Sequence, residues 1–193
     1  MLDLRIQQHF IDSADLQYQA AEPLAKPVEA GVQALMACVT SGGKVLVAGW
    51  GGTAASAPYF ASLFVGGFER ERPELAALAL STDLGPLPLD EQALARQVRA
   101  LGQTGDVLMV LTANGQEPLL GQAVQAAHDR DMTVLALTGK GGGALAKLLR
   151  ETDVHVCVPH ERAARVREMQ QLILHCLCDG VDAQLLGEQE LTE

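Results

Sequence analysis

The sequence predicts an α/β fold, a three-layer α-β-α sandwich around a five-stranded parallel sheet, and three observations predict it. Five short apolar runs, Lys44–Gly49, Leu75–Leu80, Asp106–Thr112, Met132–Gly139 and Val154–Pro159, alternate with stretches of helical character. These runs are apolar at successive positions, as strands covered on both faces are. A helical N-terminal pair before the first run and a long helix after the last enclose the alternating part.

The elements follow in order. Residues 1–42 carry an apolar stripe at Leu4, Phe10, Ile11 and Ala14, then Leu24, Val28, Val32, Leu35 and Met36. Pro23 and Pro27 are expected to split this segment into two helices, and Ser41-Gly42-Gly43 to end the second. The first strand, Lys44–Gly49, leads to a helix after Thr53, where Pro58 predicts a kink or a delayed start. Leu75–Leu80 is the second strand and Leu84–Pro88 a loop, after which Asp90 caps a helix through Leu101. Asp106–Thr112 is the third strand, and Asn114-Gly115 turns into a helix ending at His128. Met132–Gly139 is the fourth, followed by a glycine loop at Gly141–Gly143 and a short helix over Ala144–Arg150. Val154–Pro159 is the last, and Glu161 to Leu186 forms one long terminal helix.

The 193 residues therefore read as a single domain, with 1–42 as oligomerisation helices, 43–160 as the α/β core and 161–187 as the terminal helix. The two helical flanks hold more apolar surface than one small sheet needs, which predicts association into an oligomer.

Composition narrows the function. Aromatic residues are 4% of the chain, so the core is aliphatic. A formal charge of −10 repels nucleic acid at long range and suits a basic partner. Arg162, Arg165 and Arg167 form the one basic cluster, read as a solvated helix face with local ion pairs. No apolar run is long enough to span a bilayer, and Met1–Ile6 lacks the character of a signal peptide. Cys38, Cys157, Cys176 and Cys178 lack C-x-x-C spacing and read as buried thiols of a reducing cytoplasm.

Lys44–Thr53 is the most informative segment. An apolar strand ends in Gly49-Trp50-Gly51-Gly52-Thr53, where glycines permit positive φ and a following helix start offers free N–H groups to an anion. Thr53 is the expected N-cap, with a hydroxyl also able to reach a phosphate. Trp50, the one tryptophan, is expected to plug the pocket there. Neither the G-x-G-x-x-G spacing nor the P-loop spacing is present, and Lys140 beside Gly141–Gly143 does not supply it, so nucleotide chemistry is not indicated.

Strand, glycine turn and Thr53, then strand and Leu111-Thr112-Ala113-Asn114-Gly115, then Val134–Gly143 together resemble the sugar isomerase (SIS) domain, nearly end to end. Within it the chain is similar to the phosphoheptose isomerase group. Four strings, Phe68–Pro73, Arg96–Gly102, Arg130–Thr133 and Cys176–Asp179, are similar to its DiaA-like members, which associate with the replication initiator DnaA. That resemblance implies a homotetramer that gathers several initiator molecules by multivalency. It places an initiator-contacting apolar pair at Leu185 and Leu186, the alternative being burial in the tetramer.

Aldose–ketose isomerisation needs a base to move a proton between adjacent carbons and an acid for the oxygens. The resemblance places a catalytic glutamate at the position of Leu63 and a histidine at His175, so only the histidine is retained. The remaining zinc-ligand positions of the pattern fall on Tyr59 and Arg167, and one imidazole does not hold zinc, so no metal and no cofactor are expected. On its apolar stretch, His175 is read as a core histidine rather than a catalytic one. The hydroxyl-rich phosphate turn of the pattern falls on Thr112–Glu117; Thr112 and Asn114 can still donate, but Glu117 repels a dianion.

The expectation from these residues is a non-catalytic SIS-fold adaptor of the replication initiator. The alternatives are a sedoheptulose 7-phosphate isomerase drawing a carboxylate from another subunit or from the shortened loop, such as Asp90 or Glu91, and a sugar-phosphate sensor binding through Thr53, Thr112 and Asn114.

Overall fold

A computed structural model describes residues 1–81 and 90–187. The loop expected at Leu84–Pro88 and the acidic tail after Gly187 lie outside the described residues.

The apolar runs form one five-stranded parallel sheet of order β2-β1-β3-β4-β5, with β1 Val45–Gly49, β2 Ala77–Ala79, β3 Val107–Leu111, β4 Thr133–Gly139 and β5 Val154–Val158. Every neighbouring pair is parallel, and β1 and β3 run in step from Val45↔Val107 to Gly49↔Leu111. All five residues of β1 and of β3 are buried, as the unbroken apolar runs require. β2 is shorter than its sequence run: it is an edge strand paired on one side only, so its ends lack ladder partners.

Side-chain alternation divides the core into two clusters. Val45, Val47, Val107, Met109, Leu135 and Leu137 face α1 (Leu2–Thr40), α2 (Ser56–Gly66) and α6 (Ala163–Leu186). Leu46, Ala48, Leu108, Val110, Val134 and Ala136 face α3 (Ala93–Leu101), α4 (Pro118–His128) and α5 (Gly143–Ala146). This is the three-layer sandwich, with the period-2 pleat deciding which residue joins which layer.

The N-terminal flank differs from its expectation. Residues 2–40 form one 39-residue helix that continues through Pro23 and Pro27, not a pair. Each proline forfeits one hydrogen bond, at about 3 kcal/mol in a helix interior. A single stripe, Leu16, Ala20, Leu24, Val32, Leu35 and Cys38, runs past both prolines into the core. Fully burying one such leucine or valine is worth about 1.5–3 kcal/mol, so the stripe outweighs the two lost bonds.

Three helix starts also moved. α2 begins at Ser56, which leaves Pro58 in its first turn where no hydrogen bond is lost, the delayed start rather than the kink. α3 begins at Ala93; Asp90 Oδ1 instead accepts the N–H of Gln92 at 2.9 Å, just before the helix. α5 is Gly143–Ala146 where Ala144–Arg150 is expected; two glycines at positive φ, Gly141 and Gly142, precede it, and its first residue, Gly143, has positive φ as well. Among the described residues no helix is long and apolar enough to cross a membrane.

Candidate functional site

The chain leaves β1 toward β2 on one side, and β3 resumes on the other, so the sheet changes direction between β1 and β3. Ligands of open α/β sheets bind beyond the carboxyl ends of the strands at such a point. Here the turns Trp50–Thr53 and Thr112–Glu117 meet.

Their hydroxyls are spent inside the protein. Thr53 is 2% exposed; its Oγ1 lies 2.6 Å from the carbonyl of Leu111 and 2.9 Å from that of Trp50, and it accepts the N–H of Trp50 at 3.2 Å. The residue expected as the cap of a helix is therefore a staple joining the turn after β1 to the end of β3. Thr112 is fully buried; its Oγ1 donates to Glu117 Oε2 at 2.6 Å and accepts the N–H groups of Asn114 and Gly115. Asn114 is half-buried, and its Oδ1 accepts the N–H of Gln116 at 3.0 Å. Gln170 of α6, 1% exposed, donates from Nε2 to the carbonyls of Thr112 and Leu137 and so ties α6 to the ends of β3 and β4.

On the α3–α4 side the crevice is a cavity of about 390 Å³ lined by Trp50, Asp90, Glu91, Glu117, Pro118 and Leu119. Trp50 is half-buried against the α3–α4 cluster and forms the wall of this space. Asp90 is paired with Arg96, whose hydrogen bonds hold its carboxyl below the usual carboxylate range.

On the other side α2 and α6 meet at a polar pair of their own. Tyr59 Oη and His175 Nε2 lie 2.8 Å apart. Tyr59 is 38% exposed, whereas His175 is half-buried behind it. The ring of Phe68 stacks on the imidazole, with centroids 5.3 Å apart and planes 22° apart, and Gln171 Nε2 approaches His175 Nε2 at 3.4 Å. Arg167, Gln171 and His175 stand at i, i+4 and i+8 on one face of α6. A Cβ on Gly52 would stand 2.0 Å from the Arg167 guanidinium, so the glycine turn admits Arg167. Leu63, one turn beyond Tyr59 on α2, packs partly buried against the core.

His175 is thus a half-buried histidine with a tyrosine partner; the sequence pattern presents Tyr59 only as a zinc-ligand position and Phe68 only within a local string, and does not single out Gln171. The spacing of Arg167, Gln171 and His175 was the available signal. The positions that the resemblance assigns to zinc do not fit the metal: Tyr59 and His175 hydrogen-bond to each other, and Leu63 and Arg167 offer no donor pair.

Elsewhere, Arg162 pairs with Asp12 at 3.6 Å, but Arg165 is 4% exposed rather than solvated, donating to the carbonyl of His9 at 2.7 Å and pairing with Glu168. Burial pushes the thiols of Cys38 and Cys178 up to about 11 and about 12; Cys176, by contrast, is exposed rather than buried. Leu185 and Leu186 end α6, and both are exposed.

Comparison with known proteins adds a lineage to this geometry. The SIS domain matches residues 8–139. A protein of Methylibium petroleiphilum named phosphoheptose isomerase is 58% identical over all of this chain and 99% of its own length. One of Azoarcus sp. with the same name is 47% identical, covering 96% of this chain and 98% of its own. The solved phosphoheptose isomerase GmhA of Neisseria gonorrhoeae superposes with a TM-score of 0.88 at 38% identity, over 95% of this chain and all of that one. That of Francisella tularensis gives 0.89 at 37%, over 94% and 98%.

These relatives overturn the expectation of a non-catalytic initiator adaptor. Residues of the strings behind that expectation make contacts within the fold. Arg72 pairs with Asp182, Phe68 stacks on His175, and Arg130 Nε donates to the carbonyl of Gly102.

Proposed function

From the membership of this chain in the SIS domain family, within its phosphoheptose isomerase group, we propose that it is an aldose–ketose isomerase of a seven-carbon sugar phosphate. The observation in the site that carries the reading is the Tyr59–His175 hydrogen bond between α2 and α6, with Tyr59 exposed at the surface. Tyr59 is the member of the pair that a sugar meets, and His175 is its proton store. As Tyr59 Oη takes the proton from the substrate carbon, its own proton passes to His175 Nε2. Return of both protons, to the adjacent carbon and to Tyr59, with the substrate's hydroxyl proton passing to its former carbonyl oxygen, gives the ketose with no net change in the protein. Leu63 supplies no carboxylate, so the relay takes the part of the base.

Of Thr53, Thr112 and Asn114, the first two shape the turns and the half-buried Asn114 is the proposed side-chain contact for phosphate. We propose further that the chain self-associates as a homotetramer. Support comes from Leu2, Leu4, Ile6, Phe10 and Ile11, all at least half exposed along the first turns of α1.

The test is the interconversion of sedoheptulose 7-phosphate and its aldose isomer by the purified full chain, followed by NMR. Turnover that falls about 100-fold or more in His175→Gln supports the relay, in keeping with the usual worth of general acid–base catalysis. Saturable sugar-phosphate binding by the wild-type chain without turnover overturns the isomerase reading.

A further inference from the structure

We propose that the buried Arg72–Asp182 ion pair is a positioning device for His175, acting through Phe68. Both side chains of the pair are wholly buried, and Arg72 Nε donates to Asp182 Oδ1 at 2.5 Å. Asp182 Oδ2 also accepts the backbone N–H of Phe68 at 3.4 Å. Arg72 makes two further bonds, to the carbonyl of Pro73 at 3.1 Å and to that of Leu63 at 3.4 Å, and its guanidinium lies 5.7 Å over the Phe64 ring. One ion pair thus knots the end of α2, the segment 67–73 and α6.

The knotted segment holds a conformation it would not keep alone. Gly67 has φ +92°, and Glu69, a non-glycine residue, has φ +54°. Left-handed backbone is disfavoured at such a residue and persists only where its surroundings over-determine it. Asp182 supplies that determination, and Phe68 is what it places.

Asp182 stands seven residues after His175, two turns along the same face of α6. From there it sets Phe68 flat on the imidazole that Tyr59 holds edge-on at Nε2. A ring closed on one face and bonded at one edge has little freedom to turn. Exposed ion pairs contribute almost nothing, whereas breaking a buried one leaves a charge unsatisfied. A dry pair beside a proton-handling histidine therefore reports a demand for fixed geometry. The inference rests on the isomerase reading for its purpose alone; the geometry is that of the resting protein.

The test reads the ring directly. Stacking under Phe68 moves the His175 imidazole proton resonances upfield by ring current, and His175→Gln assigns them by their loss. Phe68→Leu is expected to return them downfield. Asp182→Asn, which keeps size but removes the charge and one of the two acceptor oxygens, and Arg72→Lys, which keeps charge but not the fork, are expected to reproduce most of that displacement. If Asp182→Asn does not fold, Arg72→Lys decides. His175 resonances unmoved in folded Arg72→Lys, or unmoved in Phe68→Leu, overturn the proposal. In the isomerase assay the positioning variants are expected to lose kcat about tenfold or more with little change in KM. Absence of activity in every variant and in the wild type would sink the isomerase reading and leave the NMR result standing.

Discussion

Glu117 accepts the hydroxyl proton of Thr112 at 2.6 Å, so the turn that would face a phosphate holds a carboxylate and has no idle hydroxyl. Two like charges about 4 Å apart near a protein surface repel by roughly 4 kcal/mol before salt screening. Glu117→Ser removes the charge and frees Thr112. It is expected to tighten binding of sedoheptulose 7-phosphate on the order of tenfold by isothermal titration calorimetry. An unchanged or weaker Kd would place the phosphate elsewhere.

Leu63 lies four residues after Tyr59 on α2 and so shares its face. A carboxylate there would stand beside the Tyr59–His175 pair. Leu63→Glu is expected to raise kcat by about 10- to 100-fold, within the range of general-base assistance. The same rate in a folded variant would mean that the relay is complete without it.

His128 and Asp153 form a second buried pair at the opposite end of the sheet, 2.7 Å apart. Asp153 also accepts the N–H groups of Val134 and Arg150, at 2.9 and 2.7 Å, and so anchors the start of β4. Asp153→Ala strands three donors at once and is expected to cost about 3–5 kcal/mol in urea unfolding. A loss below about 1 kcal/mol would show that water replaces the carboxylate.

His155 of β5 bonds Thr138 Oγ1 at 2.7 Å, and burial lowers its pKa below the ordinary 6.5. With a folded pKa below the unfolded one, the unfolded chain binds more protons in between. Stability is then full above about pH 6.5 and falls as the pH drops toward the folded value. His155→Gln is expected to flatten this acid limb in Tm measured from about pH 7.5 to about pH 5. Parallel curves for the two proteins would remove His155 as a source of the dependence.

Phe10 is 74% exposed on the part of α1 that extends beyond the core. If this stripe is covered by further copies of the chain, Phe10→Glu/Ile11→Glu is expected to lower the mass seen by light scattering. Each large side chain that loses burial forfeits about 1.5–3 kcal/mol of association. A wild-type monomer would overturn the proposed tetramer.

Particular residues show why the sequence points away from catalysis. Leu63 in place of a carboxylate was read as the end of catalysis, and Phe68–Pro73 as the mark of a partner-binding subgroup. In the folded chain that same string holds Phe68 against His175, and Tyr59, read only as a lost ligand, bonds the imidazole. Local strings carry packing constraints as readily as they carry partner specificity.

By itself the sequence determined the sheet, its parallel sense, the three layers and the turns that end β1, β3 and β4. Burial on both faces and the period-2 pleat are local properties, written in consecutive residues. Tertiary structure alone decided that α1 runs through Pro23 and Pro27, because the cost of two lost bonds is offset only when its stripe meets the core. It alone spent the hydroxyls of Thr53 and Thr112 on internal bonds, one of them reaching from Thr53 across to Leu111. It also brought Tyr59 to His175 and Arg72 to Asp182, pairs 116 and 110 residues apart. Such contacts follow from how α6 seats against α2 on the finished sheet, and no window of neighbouring residues contains that geometry.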